Sequence, residues 1–203
     1  MVSVAILLLA AGSSARMRGS DKLLEEVDGV PILRRQAKAA LATGAHVTVA
    51  LAPNRRERCQ TLAGLQLQRV VVENAAKGMG TSIGVATAAL PDSVKAVAIL
   101  PADMPEITTG DLEEILAASA SLPDLVVQGV SSSGVPGHPV VFPSRLFPML
   151  TRLKEDEGGR SILEREKVHR VPLPEGHALT DLDTPEAWAA WRTRRTGSDK
   201  ALN

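Results

Sequence analysis

The sequence predicts an α/β protein of three layers, with helices on both faces of an open, mostly parallel sheet. Three observations point there. Apolar runs of strand length alternate with stretches of helical period along most of the chain. The first run, residues 2–9, is apolar without alternation, the pattern of a strand buried on both faces. No internal repeat, low-complexity stretch or linker divides the 203 residues, and 44% hydrophobic content is enough for one core.

The elements follow in order. After the first strand a helix is expected from Pro31, a residue preset for the first helical position. Leu33, Ala37, Ala40 and Leu41 then share one face, Arg34, Arg35 and Lys38 face water, and Gly44 ends the helix. Residues 46–51 form a second strand, 57–63 a short helix and 68–72 a third strand. A helix over 81–90 stops at Pro91, and 94–100 is the clearest internal strand. Residues 111–118 form a helix that turns Leu112, Ile115 and Leu116 inward, with Thr108 or Thr109 as its cap. Residues 125–130 are another strand. From Ser131 the alternation loosens into a turn at 131–134, a short strand at 140–142, and helical patches at 144–153 and 160–167. A final helix starts at Pro185 with Thr184 as cap and runs to about Arg195, with Trp188 and Trp191 packing it on the core. The result is a single domain over residues 1–195 and a frayed, disordered tail over 196–203.

Composition excludes several functions. The 23 basic and 23 acidic side chains cancel, so no global field favours nucleic acid or an anionic membrane. Aromatics make up 2%, too few to stack single strands. One cysteine, Cys59, excludes an internal disulfide and a multi-cysteine zinc cluster, and it suits a reduced cytoplasmic setting. The opening apolar run is too short to span a bilayer and has no basic region before it, which argues against a signal peptide.

The loop after the first strand is the richest stretch. Ala10-Ala11-Gly12-Ser13-Ser14-Ala15-Arg16 continues through Gly19 to Lys22. Its small residues let backbone N–H groups approach a polyphosphate, and Arg16 and Lys22 offset the charge. It is not a Walker A loop, because no Gly-Lys-Ser/Thr closes it, and Gly12 and Gly19 have the wrong spacing for a dinucleotide fingerprint. A second segment, Ile99-Leu100-Pro101-Ala102-Asp103-Met104-Pro105, puts a carboxylate where a buried strand ends. Ligands of open α/β sheets sit beyond the carboxyl ends of strands, so the two loops converge if their strands are parallel neighbours. Asp103 is then placed to hold a divalent cation against phosphates, and magnesium suits such a site. The alternative is an aspartate capping a turn before Pro105.

Three further segments carry weaker signals. In Asp181-Leu182-Asp183-Thr184-Pro185-Glu186 two carboxylates point the same way just before a helix N-terminus, as a second metal ligand or as caps. Residues 73–82 lead from a strand into a helix whose first N–H groups are free, so Gly78 and Ser82 line a base or ribose, or form an ordinary glycine-rich helix entry. His138 is pinned between Gly137 and Pro139, and a lone histidine in a turn is usually structural. Arg160 is a ligand cation or a solvated helix-start charge. His46, His169 and His177 show no metal spacing.

In this order, from Ile6 to Glu186, the motifs resemble the MobA/MocA-like nucleotidyltransferases, in the form of the molybdenum-cofactor cytidylyltransferases. The first loop is similar to that family's Leu-Ala-Ala-Gly-x-Ser-x-Arg-Met-x-Gly-x-x-Lys. Asp103 falls in its Gly-Asp-Met-Pro, with Ala102 for the glycine, and residues 181–186 match its Asp-x-Asp-Thr-Pro-Glu. Gly78, Met79 and Ser82 match its Gly-Met-x-x-Ser, and His138 its Gly-His-Pro. Asp156, Gly158 and Arg160 match its Gly-Asp-x-Gly-Ala-Arg, with Glu155 at the first glycine. The resemblance implies the Rossmann-like nucleotide-diphospho-sugar transferase fold. It implies a nucleotide site of Leu9, Ala10, Ala11, Gly12 and Ser13 with Lys22, Gly78, Ser82 and Asp103. Arg16, Lys22 and Asp103 would be catalytic. Asp103 and Asp183 would hold Mg2+, with Asp181 the weaker candidate, and His138 and Arg160 would line the acceptor. The family's arginine two residues before the histidine is Pro136 here, which removes a cation from the acceptor side.

The implied reaction transfers CMP from CTP to a phosphorylated acceptor, molybdopterin in first place, and releases pyrophosphate. An anionic phosphate attacks the α-phosphorus, so no general base is needed, in keeping with the lack of a catalytic His or Cys dyad. Ala11 favours the cytidylyl form, since the guanylyl branch reads Leu-Ala-Gly-Gly and a methyl there would crowd a purine. Guanylyl transfer and transfer to a sugar or alcohol phosphate are the alternatives within the class. A non-catalytic nucleotide sensor or cofactor chaperone is the alternative outside it. Such a cytoplasmic enzyme would have no nucleic-acid or membrane partner and would meet a molybdoenzyme or its chaperone transiently.

Overall fold

The computed structural model describes residues 3–155 and 157–200. In chain order the strands are β1 (Val4–Ala10), β2 (Glu26–Val27), β3 (Val30–Pro31), β4 (His46–Leu51), β5 (Gln68–Val71), β6 (Ala96–Pro101), β7 (Val126–Val130), β8 (Pro136–Pro143) and β9 (Val168–Pro172). The helices are α1 (Ile32–Ala42), α2 (Arg56–Thr61), α3 (Met79–Ala88), α4 (Thr109–Ser121), α5 (Phe147–Leu150), α6 (Arg160–Leu163) and α7 (Pro185–Lys200). Seven strands form one sheet in the order β5-β4-β1-β6-β8-β7-β9, and β2 pairs with β3 as a separate hairpin. β5, β4, β1 and β6 are parallel, β8 is inverted between β6 and β7, and β9 is parallel to β7. The architecture is therefore the three-layer, mostly parallel one, with a single inverted strand in the sheet.

β1 shows why its sequence lacks alternation. Ile6, Leu8 and Ala10 pack with Leu33 of α1, Leu112 of α4 and Trp188 of α7 on one face. Ala5 and Leu7 pack with Ile83 of α3 and Leu150 of α5 on the other. Burying each Leu or Ile contributes roughly 1.5–3 kcal/mol, so an exposed face would waste half of it.

Local signals set several boundaries. Gly44, at φ 74°, ends α1. Thr108 and Asp111 form a capping box at α4. The Ala187 N–H donates to Thr184 Oγ1 at 3.1 Å, which caps α7 as expected. Trp188 and Trp191 are buried and meet edge to face at 5.8 Å. Trp191 Nε1 donates to Glu106 Oε1 at 2.6 Å and so fastens α7 to the segment after β6. Trp191→Phe is expected to cost roughly 1.5–3 kcal/mol, the value of a hydrogen bond to a charged group. A urea midpoint shifted at constant slope would show it.

Other boundaries differ from expectation. α3 starts at Met79 rather than near residue 81. β8 spans Pro136–Pro143, well beyond 140–142, because pairing to neighbours on both sides extends a Pro- and Gly-rich stretch whose own propensity is low. β9 and the β2–β3 hairpin carry no clear apolar pattern; β9 is an edge strand with exposed His169 and Arg170. The expected helix at 160–167 is the four-residue α6, and α7 continues to Lys200 instead of ending near Arg195. Val2, Asp156 and residues 201–203, the end of the expected tail, lie outside the described residues.

Candidate active site

β1 and β6 are parallel neighbours, so the loops after them leave the same edge of the sheet. Backbone bonds tie the motif segments together. The Ala102 N–H donates to the Leu9 carbonyl at 3.2 Å, and the Leu182 N–H to the Asp103 carbonyl at 3.3 Å. Gln36, buried on α1, donates through Nε2 to the carbonyls of Met104 and Ile107 at 2.8 and 3.2 Å, which holds the loop carrying Asp103. These segments open onto a cavity of about 1300 Å³.

Charge is concentrated at one end of it. Asp103 is 5% exposed. The Lys22 ammonium donates to the Asp103 carboxylate and to Asp183 Oδ1, the latter at 2.6 Å. Arg16 Nη2 donates to Asp183 Oδ2 at 2.6 Å. Burial by itself would lower the Lys22 pKa, but Asp103 and Asp183 outweigh it and hold the ammonium above its ordinary value. Asp181 also faces the cavity, where desolvation and then the Asp183 and Asp103 charges push its carboxyl above the usual range. Asp103 and Asp183 thus converge on one cation, a spacing that suits a shared divalent ion whose other ligands are phosphate oxygens and water. Among the described residues no group of three or more His, Cys, Asp or Glu could hold a metal, so an all-protein cage is not what this site offers.

The phosphate-type loop is held from behind by Arg58, which sequence reasoning did not single out. Its guanidinium is 1% exposed and donates five hydrogen bonds. Nη1 reaches the Ala10 and Gly12 carbonyls at 2.6 and 2.8 Å. Nη2 reaches Ser14 Oγ at 2.9 Å and Asp21 Oδ1 at 2.7 Å, and Nε reaches Asp21 Oδ2 at 2.7 Å. Burial raises the Asp21 pKa, but Arg58 overrides it and holds the carboxyl below its ordinary value. Ser14 and Arg18 sit at φ 57° and 52°, so the loop holds left-handed residues that a fixed scaffold must stabilise. No sequence signal marked Arg58, because an arginine in a six-residue charged helix is ordinarily solvated.

The structure gathers nearly all the expected site residues. Leu9, Ala11, Gly12 and Ser13 line the cavity beside Lys22 and Asp103, as do Gly78, just before α3, and Ser82 within it. Ala10 does not line it. At 1% exposure its methyl points into the core, and its carbonyl is bound by Arg58. The entry to α3 also differs from expectation, because the Gly80 N–H is not free but donates to the Glu155 carbonyl at 2.8 Å. A Cβ at Gly80 would lie 2.5 Å from the Glu157 carbonyl oxygen, so glycine alone lets α3 approach the carbonyls of Lys154, Glu155 and Glu157. Gly80→Ala is expected to cost about 1–3 kcal/mol by forcing that backbone apart, and a fall in Tm with a weakened nucleotide Kd would register it.

His138 and Arg160 also line the cavity. Burial pushes the His138 pKa down, which keeps the ring neutral, and it bonds the Ile99 backbone. Its Nδ1 is buried without a partner. Arg160 is 90% exposed at its side chain and pairs with Glu164 at 3.2 Å. No helix among the described residues is long and apolar enough to cross a membrane.

The family model of the MobA-like NTP transferase domain matches residues 6–171. A probable molybdenum cofactor guanylyltransferase of Natronomonas pharaonis is 30% identical over 88% of this chain and 92% of its own length. The bifunctional protein GlmU of Leifsonia xyli is 32% identical over 57% of this chain, which spans only 25% of GlmU. The crystal structure of Rv0371c from Mycobacterium tuberculosis H37Rv superposes with a TM-score of 0.82 at 22% identity, over 93% of this chain and 97% of that one. The structure of its complex with manganese gives 0.77. At that identity the likeness is one of fold.

Proposed function

Because the chain belongs to the MobA-like NTP transferase domain family and is therefore a nucleotidyltransferase, we propose that it transfers CMP from CTP to a phosphorylated acceptor of the molybdopterin kind. The observation that carries this reading is the convergence of Lys22, Arg16, Asp103 and Asp183 at one end of a single cavity. An oxygen of the acceptor phosphate attacks the α-phosphorus, the bond from that phosphorus to the bridging oxygen breaks, and pyrophosphate leaves with the electron pair. No proton moves at the attacking oxygen, so no base is required.

The residues have distinct tasks. Asp103 and Asp183 are the pair that would hold magnesium, which supplies positive charge to the phosphates when bound. Lys22 and Arg16, already cationic at the same point, offset the charge that builds on the leaving group. The Gly12 and Ser13 backbone offers close approach to the triphosphate. Gly78 and Ser82 border the base and sugar. The Ala11 methyl in the wall favours a pyrimidine over a purine.

A second reading is guanylyl transfer, favoured by the likeness to the probable molybdenum cofactor guanylyltransferase of Natronomonas pharaonis. Pyrophosphate release measured with CTP, GTP, ATP and UTP, magnesium or manganese, and a panel of phosphorylated acceptors including molybdopterin separates the readings. Release that requires an acceptor and prefers CTP is the expected result. A GTP preference establishes the second reading. Nucleotide binding without release from any pair overturns both in favour of a sensor or chaperone.

A further inference from the structure

We propose that Arg170 grips the end of the acceptor remote from its attacking phosphate, so that the preferred acceptor carries a second anionic group. The inference rests on the nucleotidyl-transfer reading above but not on molybdopterin as the acceptor, whose single phosphate leaves an uncharged pterin at the far end. Ile99, Val140, Gln128 and Arg170 are register partners across β6, β8, β7 and β9. Partners in register project from one face of a sheet, and all four line the same cavity. Arg170 therefore belongs to the cavity wall, although its strand is the outermost one.

Its state differs from that of the other cations there. Lys22 and Arg16 are engaged by Asp103 and Asp183, Arg55 by the Ser13 carbonyl, and Arg160 by Glu164. Among the described residues lining the cavity, Arg170 alone is a cation without a partner. The ground between the two ends carries no charged side chain of β8 or β7: Val140, Phe142 and Val168 in the wall are apolar, and His138 and Gln128 are polar. The Gln128 amide is committed to the Gly137 carbonyl at 3.0 Å. A ligand crossing that ground needs an uncharged body and gains an ionic contact only at its far end. From β6, whose loop bears Asp103, to β9 is three strand spacings, or about 14 Å. One phosphate cannot span that distance, but a molecule with an anion at each end can.

Alkane-α,ω-bisphosphates graded in chain length serve as a molecular ruler, with the matching alkyl monophosphates as controls. Calorimetric binding to the full chain needs no turnover. The expected result is one bisphosphate length that binds roughly tenfold tighter than its monophosphate, the effect of one charge-assisted contact at a partly exposed site. Arg170→Ala should erase that preference, Arg170→Lys should keep part of it, and Arg165→Ala, outside the cavity, should keep all of it. Arg170→Gln replaces the alanine variant if that variant has a lowered Tm. Wild-type protein with no preference for any bisphosphate, or a preference that survives loss of Arg170, overturns the assignment. Pyrophosphate assays keep the two readings apart. Turnover with an unchanged acceptor KM in Arg170→Ala defeats the Arg170 assignment alone, whereas intact bisphosphate preference without any turnover defeats the transferase reading alone.

Discussion

Asp103→Ala is expected to fold as the wild type does and to transfer nucleotide at least roughly a hundredfold more slowly, a loss of about 3 kcal/mol of transition-state stabilisation. The kinetic loss follows from its place. It is a nearly buried carboxylate that shares a single cation with Asp183, at the point where the proposed transfer would develop charge. The small effect on stability follows from the same geometry, because Lys22 keeps Asp183 at 2.6 Å and is not left as a bare buried cation. Lys22→Ala should match the kinetic loss but differ in stability. It leaves Asp103, Asp181 and Asp183 facing one another without the ammonium, so Tm should fall at neutral pH and recover on adding magnesium. Single-turnover pyrophosphate release together with thermal unfolding, with and without magnesium, tests both variants. Near wild-type turnover in either one would remove it from the catalytic site.

Arg58→Ala should give the largest loss of stability, about 3–5 kcal/mol, the cost of removing one partner from a buried, hydrogen-bonded ion pair. Four acceptor groups lose their donor at once: two loop carbonyls, the Ser14 hydroxyl and the Asp21 carboxylate. Arg58→Lys should recover little, because a single ammonium cannot reproduce a planar fork that reaches all four. In that milder variant the loop should lose its left-handed conformation before the core unfolds, so nucleotide Kd should rise more than Tm falls. The pair also sets an acid dependence. Asp21 is depressed in the folded chain. Its contribution is therefore complete above the unfolded aspartate value of about 3.9 and lost as pH drops through the lower folded value. The stability gap between wild type and Arg58→Ala should narrow below that range without closing, since the bonds to the Ala10 and Gly12 carbonyls and to Ser14 do not titrate there, as chemical denaturation across pH would show. An Arg58→Ala variant with wild-type Tm and nucleotide affinity would refute the clamp.

Much of the site was legible because its chemistry needs particular residue types at fixed spacing. Asp103 stands out in sequence as a charge just past a buried strand and Lys22 as a cation of the small-residue loop after another, and the fold brings them into contact. Asp183 is separated from Asp181 by the cation it meets: spacing alone offers two carboxylates, the family resemblance prefers Asp183, and Lys22 and Arg16 both bond only that one. β8 is only half legible in the sequence and β9 not at all, since an inverted strand and a polar edge strand take their stability from neighbours that local pattern does not reveal.

The chain's own order of residues determined the alternating architecture, the buried first strand, the capped last helix and the acidic and basic loops, because each depends on side chains close in sequence. The tertiary structure alone decided that Arg58 is a buried clamp, that Ala10 faces the core, that Gly80 is a contact point and that Arg170 belongs to the cavity wall. Each of those outcomes depends on a partner far away along the chain, and burial or a hydrogen bond across such a separation exists only once the sheet has set which strands lie side by side.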